Sequence, residues 1–170
     1  MIISMIVAMS ENRVIGRDGD LPWRLTADMR RFRTLTMDHH LILGRRTYES
    51  LDGPLPGRKV VVVSRSMEFP PAGAALVRSI AEGLDLARGA GEREVFIGGG
   101  QGIYSEAISV ANRIYLTLVH TQIEGDAYFP KYDRGTWKEA WTESFPGDEM
   151  NQYPYSFKIL ERAAPDLPPL

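Results

Sequence analysis

Asp28 is a carboxylate placed where a core-facing helix should carry hydrocarbon. From Leu25 onward the apolar residues fall at Leu25, Met29, Phe32 and Leu35, the spacing of one helical face, which leaves Arg30, Arg31 and Arg33 for water. Asp28 lies three residues after Leu25 and four before Phe32, so it stands on or beside that stripe. An acid held against Trp23, Met29 and Phe32 loses water and needs a partner. No basic residue is evident on the same face, so a ligand is the candidate partner. The ordinary alternative is that Thr26 caps the helix and Asp28 serves its dipole. Dipole and desolvation act on such a carboxyl in opposite directions, and the sequence leaves their balance open.

A second set of chemistry-bearing residues sits where strands end. Gly44-Arg45-Arg46-Thr47, Ser64-Arg65-Ser66 and Gly98-Gly99-Gly100-Gln101-Gly102 each follow an apolar run. In open α/β sheets ligands bind beyond the carboxyl ends of parallel strands, where helix N-termini offer unpaired N–H groups. Glycines let the backbone approach a pyrophosphate, and two basic clusters suit further phosphates or one 2′-phosphate. Each signal is ordinary by itself. Together they favour a dinucleotide over a mononucleotide, and NADP over NAD.

Other chemistries find little footing. The glycine run does not match G-x-G-x-x-G, and no G-x-x-x-x-G-K-[ST] occurs, which counts against an NTPase. His39 and His40 are adjacent on an expected strand and should point to opposite faces, so they are not expected to share a metal, and no metal site is expected elsewhere. His120 reads as a packing or surface residue. No serine lies in G-x-S-x-G, which leaves nucleophilic catalysis unsupported.

The elements that must position these groups follow from periodicity. Residues 2–9 are apolar on both faces, as in a central strand covered on both sides. Ser10 to Arg24 is a long connection whose Gly16, Asp18 and Gly19 give flexibility and whose Ile15, Leu21 and Trp23 give apolar surface, the mixture of a closing lid. Beyond the Leu25 helix come strands at 39–43, 59–63, 75–77 and 94–97, with a helical turn at Tyr48–Leu51 and helices at Ser79–Arg88 and from the glycine run to Ser109. Alternating strand and helix implies parallel strands with crossovers. The last third, with strands at 113–120, 137–144 and 153–162, closes as an antiparallel edge. The expected fold is α/β: one domain over residues 1–162, with a mixed, mainly parallel eight-stranded sheet, about four flanking helices, and a flexible tail at 163–170.

Composition sets outer bounds. The chain has 170 residues, enough for a substantial core, and no cysteine, which removes disulfides, thiolate metal sites and cysteine nucleophiles. Its 20 basic and 22 acidic side chains give no polyanion-binding character, so no nucleic-acid partner is expected. The opening apolar run is too short for a membrane span and lacks the basic start of a signal peptide; a cytoplasmic protein is expected.

The ordered set Ile15-Gly16, Leu21-Pro22-Trp23, Asp28 with Phe32, Gly44-Arg45 with Thr47, Pro54-Leu55-Pro56-Gly57-Arg58, Gly98-Gly99-Gly100 with Tyr104, Tyr115-Leu116-Thr117, and Glu124-Gly125-Asp126 with Phe129-Pro130 resembles the dihydrofolate reductases, in their bacterial form, over residues 1–162. The resemblance implies NADPH-dependent reduction of 7,8-dihydrofolate to tetrahydrofolate, serving one-carbon metabolism, in a monomer open to antifolate inhibitors. It places Asp28 against the 2-amino and N3 edge of the pterin, with Thr117 in support. Ile6, Val7, Met29, Phe32, Leu51 and Leu55 would line the folate slot, and Arg58 would grip the carboxylate of the glutamate tail. Leu21, Trp23 and Tyr104 would join Asp28 around the reacting atoms. Ala8, Ile15, Gly16, Asp20 and Leu21 would approach the nicotinamide. Arg45, Arg46, Thr47, Ser50, Val63, Ser64, Arg65 and Arg78 would serve the adenosine and phosphates. Ile97, Gly98, Gly99, Gly100, Gln101, Gly102 and Ile103 would cradle the pyrophosphate.

On this reading the lid from Asn12 to Trp23 closes on the nicotinamide, steadied by Asp126. Asp28 raises the basicity of N5 while water admitted near Leu21 delivers the proton. Three departures stand out. The glycines lie one residue farther from Tyr104 than the commonest family spacing, which leaves open the Gly-Gly pair that forms the family's cis peptide. Arg65 stands where Ser is frequent, and Met29 where Leu is common. A reductase of another pterin or of a flavin-pathway pyrimidine would share the fold without needing Arg58. A silent NADP-binding protein would bind the cofactor without turnover.

Overall fold

The computed structural model describes residues 1–164. In chain order they form β1 (Ile2–Ser10), β2 (Val14–Gly16), α1 (Thr26–Thr36), β3 (His40–Gly44), α2 (Arg45–Glu49), β4 (Lys59–Val63), β5 (Ala74–Val77), α3 (Ile80–Gly89), β6 (Glu94–Ile97), α4 (Gln101–Ala107), β7 (Arg113–Val119), β8 (Ala127–Tyr128), β9 (Trp137–Phe145) and β10 (Tyr155–Arg162). Eight strands make one sheet in the order β5-β4-β3-β6-β1-β7-β10-β9. The first six neighbours run parallel, and β10 runs antiparallel to both β7 and β9. The mixed sheet and four helices expected from periodicity are therefore present. Of the expected tail, residues 165–170 lie outside the described residues, while Ala163 still donates its N–H to Thr136.

Strand alternation sorts the core onto two faces. From β1, Met5, Val7 and Met9 join Ile80, Leu84, Ala87, Tyr104 and Ala107 of α3 and α4. Ile6, one residue out of phase, faces the other way and packs with Leu41, Leu43, Phe96 and Tyr115, against which Phe32 and Leu35 of α1 lie. A third cluster of Trp23, Leu25, Val119 and Tyr155 fastens the start of α1 to the antiparallel edge. β1 sits between two parallel neighbours and is nearly continuously buried, which is why its run shows no polar phase.

The reading of the paired histidines is corrected. His39 Nδ1 lies 3.0 Å and His40 Nδ1 2.7 Å from the two oxygens of one carboxylate, Glu92. Alternation does not apply to the pair because β3 starts only at His40, and His39 follows Asp38, which turns the chain at φ +66°.

Candidate active site

Asp28 lies in the first turn of α1, and that turn is held from a distant part of the chain. Leu25 is the N-cap and makes no side-chain cap bond; Thr26, the expected cap, is the first helical residue. Asn151 takes over the task. Its Oδ1 accepts from the N–H of Ala27 at 3.0 Å, and the Met150 carbonyl accepts from the N–H of Thr26 at 3.1 Å. Asn151 is itself buried and fixed by Asp148, whose Oδ1 accepts from its N–H at 2.9 Å. Asp28 is thus set by two segments that meet only in the folded chain.

Thr117 Oγ1, from β7, donates to Asp28 Oδ1 at 2.7 Å. Burial pushes the Asp28 carboxyl above its ordinary range, and the Thr117 bond and the positive charge of Arg31 act against that rise. Desolvation therefore prevails over the stabilising contacts, the balance that the sequence could not give. The expectation that Arg31 faces water is overturned. Its guanidinium lies 4.3 Å from the Phe157 ring, 5.5 Å from Trp141 and 6.0 Å from Tyr115, because β9 and β10 extend under α1 and offer aromatic faces to it. Sequence inspection missed Arg31 and Asn151; the first carried a helical i+3 signal, the second none.

The surroundings of Asp28 form a cleft. Leu21, Trp23, Arg24, Leu25, Thr26 and Met29 line it with Asp28, and Met29 and Leu21 are 57% and 44% exposed. The indole Nε1 of Trp23 is buried without a protein acceptor, so the cleft presents a donor as well as an acid. Farther along, Phe32, Leu51 and Leu55 form an apolar wall with Ile6. Val7 turns its side chain into the opposite core and is not on this wall. Arg58 lies at the wall's end; its Nε and Nη1 are buried and unpaired, and burial together with the neighbouring charge of Arg33 lowers it from the ordinary arginine range. The unspent donors of Arg58, with a second cation nearby, suit an anion.

The connection between β1 and α1 is more structured than a free loop. β2 pairs with β8, and Arg17 and Asp20 close a two-residue turn by N–H to carbonyl bonds of 2.9 and 3.0 Å. Asp18 and Gly19 at its tip have φ of +52° and +80°, a conformation that suits Gly and Asp. Asp126 Oδ2 accepts from the Asp18 N–H at 3.0 Å, so the expected tether of the lid is present. Ile15 packs on the core, Gly16 bonds back to the Asp126 N–H, and Asp20 receives the Leu21 N–H at 2.8 Å.

Two of the strand-end motifs are in contact, and the third, Ser64-Arg65-Ser66, follows β4, whose Val63 pairs with Gly44. The Gly44 N–H donates to the Gly99 carbonyl at 2.8 Å, and the Gly98 N–H to Ile42 at 3.0 Å. The cis peptide is Gly99–Gly100, which resolves the register of the glycine run. Gly98 plays a different part from its neighbours: a Cβ there would lie 2.9 Å from Leu43 and 3.1 Å from Leu41, on the core side. A Cβ on Gly100 would come within 3.0 Å of Thr47 Oγ1, and one on Gly99 within 3.1 Å of the Tyr104 ring. α2 and α4 begin side by side here with Gly44 and Gly100 as N-caps, neither bearing a side-chain cap.

The remaining residues divide by position. Ile103 packs over Gly44, Ile97 is buried, Gly102 is exposed, and the Gln101 Oε1 accepts from the Tyr128 N–H at 2.9 Å, tying α4 to β8. Tyr104 donates its hydroxyl to the Ile6 carbonyl at 2.6 Å, and burial, then the charge of Asp28, raises it beyond the ordinary phenol range. Ala8 packs near Trp23, Val63 against the core, and Ser64 is buried with its carbonyl held by Arg78 at 2.9 Å. Arg45 pairs with Glu49 at 3.0 Å, Ser50 bonds to the Thr47 carbonyl, and Arg46 and Arg65 are exposed. Among the described residues no group of three or more His, Cys, Asp or Glu could hold a metal ion.

The comparisons agree with this geometry. The chain matches the family model described as dihydrofolate reductase over residues 2–162. It is 40% identical to the dihydrofolate reductase of Bacillus subtilis (strain 168), over 95% of both chains. It is 41% identical to dihydrofolate reductase type 3 of Salmonella typhimurium, over 95% of this chain and 99% of that one. In structure it resembles the dihydrofolate reductase of Enterococcus faecalis, solved with NADP(H) and RAB-propyl, at a TM-score of 0.87 and 31% identity over 96% and 97% of the two chains. Residues 2–162, with the half-buried acid of α1 and the glycine turn at the start of α4, belong to the dihydrofolate reductase family.

Proposed function

We propose that the cleft reduces 7,8-dihydrofolate to tetrahydrofolate with NADPH as the hydride donor. The observation that carries this reading is Asp28: a half-buried carboxylate with one oxygen bonded to Thr117 and desolvation dominating its ionisation. Its second oxygen would accept from an amidine-like edge, and the flat heterocycle bearing that edge would lie against the apolar wall of Ile6 and Phe32. Arg58, with two unspent buried donors, would hold the carboxylate of the glutamate tail, a need that other pterins and pyrimidines do not share.

NADPH supplies the hydride when bound. The chain's own part is to position it and to keep water in check. The turn of Gly99 and Gly100, with the open starts of α2 and α4, would receive the pyrophosphate. Arg45, Arg46, Thr47, Ser64, Arg65 and Arg78 would serve the adenosine phosphates. Ala8, Ile15, Gly16 and Asp20 would flank the nicotinamide, with the lid held down by Asp126. Asp28 would raise the basicity of N5, and water passing exposed Leu21 toward the Trp23 N–H would carry the proton. A monomer in the cytoplasm is part of this reading; among the described residues no helix is long and apolar enough to cross a membrane.

The test is the loss of NADPH absorbance with dihydrofolate, run beside NADH and beside Asp28→Asn. Saturable turnover that prefers NADPH and is crippled by the substitution supports the reading. Tight NADPH binding without dihydrofolate reduction overturns it.

A further inference from the structure

Among the described residues two cations stand near Asp28 without being spent on a carboxylate: Arg24, exposed at the cleft and bonded to the Glu149 carbonyl, and Arg31, half-buried on α1. Arg31 follows Asp28 by three residues on α1 and so lies on the neighbouring face one turn on. The guanidinium is enclosed by Phe157, Tyr115 and Trp141, and its Nη1 is buried with no hydrogen-bond partner. Aromatic faces hold a cation without supplying a counter-charge. The field of Arg31 is therefore left to act on the nearest acid.

The other charged and titratable groups can be placed. From α4, Tyr104 faces Asp28, with its proton committed to the Ile6 carbonyl. From β7, Tyr115 lies against Arg31, and its hydroxyl is bound to Glu94 at 3.0 Å and to Arg113 at 3.0 Å. Arg113 in turn pairs with Glu94 and with Glu161 of β10, so both acids of that cluster are turned to Arg113 and not to Arg31. From β9, Glu143 stands opposite Phe157 on the solvent edge of the same face. Arg30 and Arg33, on α1 itself, are exposed. Asp28 and Arg31 differ from these exposed groups in being half-buried, and neither has an ion-pair partner in contact among the described residues.

We propose that Arg31 is a positioning residue that serves as the built-in counter-charge of Asp28, holding the acid ionised near neutral pH through space while its own side chain is held by the three rings. Packing alone could also explain an arginine laid over aromatic faces. The two accounts differ in what charge does. Removing charge while keeping an unbranched apolar stem, Arg31→Met, raises the pH at which Asp28 titrates by about one unit. Arg31→Lys, which keeps the charge, leaves the titration close to that of the wild type.

The titration is read on the free protein by NMR of the labelled aspartate carboxyl carbon, with the Asp28 signal assigned by its loss in Asp28→Asn. If the methionine variant does not fold, Arg31→Gln carries the same comparison. A shift in the neutral variants that lysine reverses supports the proposal. Neutral variants that titrate with the wild type overturn it, as does an equal shift with lysine, since geometry and not charge would then be responsible. The kinetic consequence rests on the dihydrofolate reading: the pH profile of kcat/KM moves with the titration. A shifted titration with an unmoved profile supports the role of Arg31 and overturns that of Asp28 in the reaction.

Discussion

Glu92 and Asp28 are both carboxylates withdrawn from water against the same sheet, one at the start of β3 and β6 and the other beside the later part of β7. Burial alone would raise Glu92, but hydrogen bonds from His40 and His39, with backbone N–H groups of His40 and Glu94, outweigh it and hold the carboxyl at about 2. Asp28 has Thr117 as its side-chain donor, and burial keeps it high. Asp28 is the more strongly desolvated of the two and has fewer donors to offset it. A fully served acid stabilises the fold, whereas an acid left half-served keeps its remaining acceptor for something that arrives later.

Asp28→Asn should give the largest effect that separates the two acids. It should lower turnover by about a hundredfold or more, yet raise the melting temperature at neutral pH. The sign follows from linkage: the folded carboxyl is raised above 3.8, so its ionised form costs stability once the pH passes that value, and the amide removes the cost. Initial rates and thermal melts check both halves. An inactive variant that also melts earlier would break the contrast.

Glu92→Gln should do the reverse. It should cost about 1–3 kcal/mol in denaturant melts, with kcat of the folded enzyme unchanged. The stability contributed by Glu92 is fully present above pH 4.5 and is lost as the pH falls toward about 2, so the wild-type advantage over the variant should shrink through that window. A constant difference across it would mean that the histidines do not act through the ionised carboxylate.

Asn151→Ala sharpens the comparison on the Asp28 side. Loss of the cap should cost about 1 kcal/mol, and KM for dihydrofolate should rise more than kcat falls, since the first turn of α1 carries the acid. Asp126→Ala should have the smallest effect, below about 1 kcal/mol in melts, with a weaker hold on NADPH as the lid loses the bond to the Asp18 N–H. Titration of cofactor binding by fluorescence checks it.

Most of the scaffold was legible because it is periodic. The continuous apolar run of β1, the Val-rich β4 and the amphipathic α3, capped by Ser79 accepting from the Glu82 N–H at 3.1 Å, each declare themselves over a few residues. The paired histidines were misread because a left-handed turn at Asp38 breaks the alternation on which the reading relied. Arg31 was misread because a helical wheel assigns to water any charge off the apolar stripe, and it cannot show that β9 and β10 reach beneath it.

By itself the sequence determined which stretches become strands and helices, that an acid lies on the inner side of α1, and that glycine and arginine gather at strand ends. These depend on neighbours three or four apart, or on single residue types. The tertiary structure decided what each polar group meets. Thr117 reaches Asp28 across 89 positions, Asn151 caps α1 across 124, and Glu92 gathers His40 across 52. Such pairs leave no periodic trace, because a hydrogen bond depends on where two atoms arrive in space, and only the packed sheet brings them there.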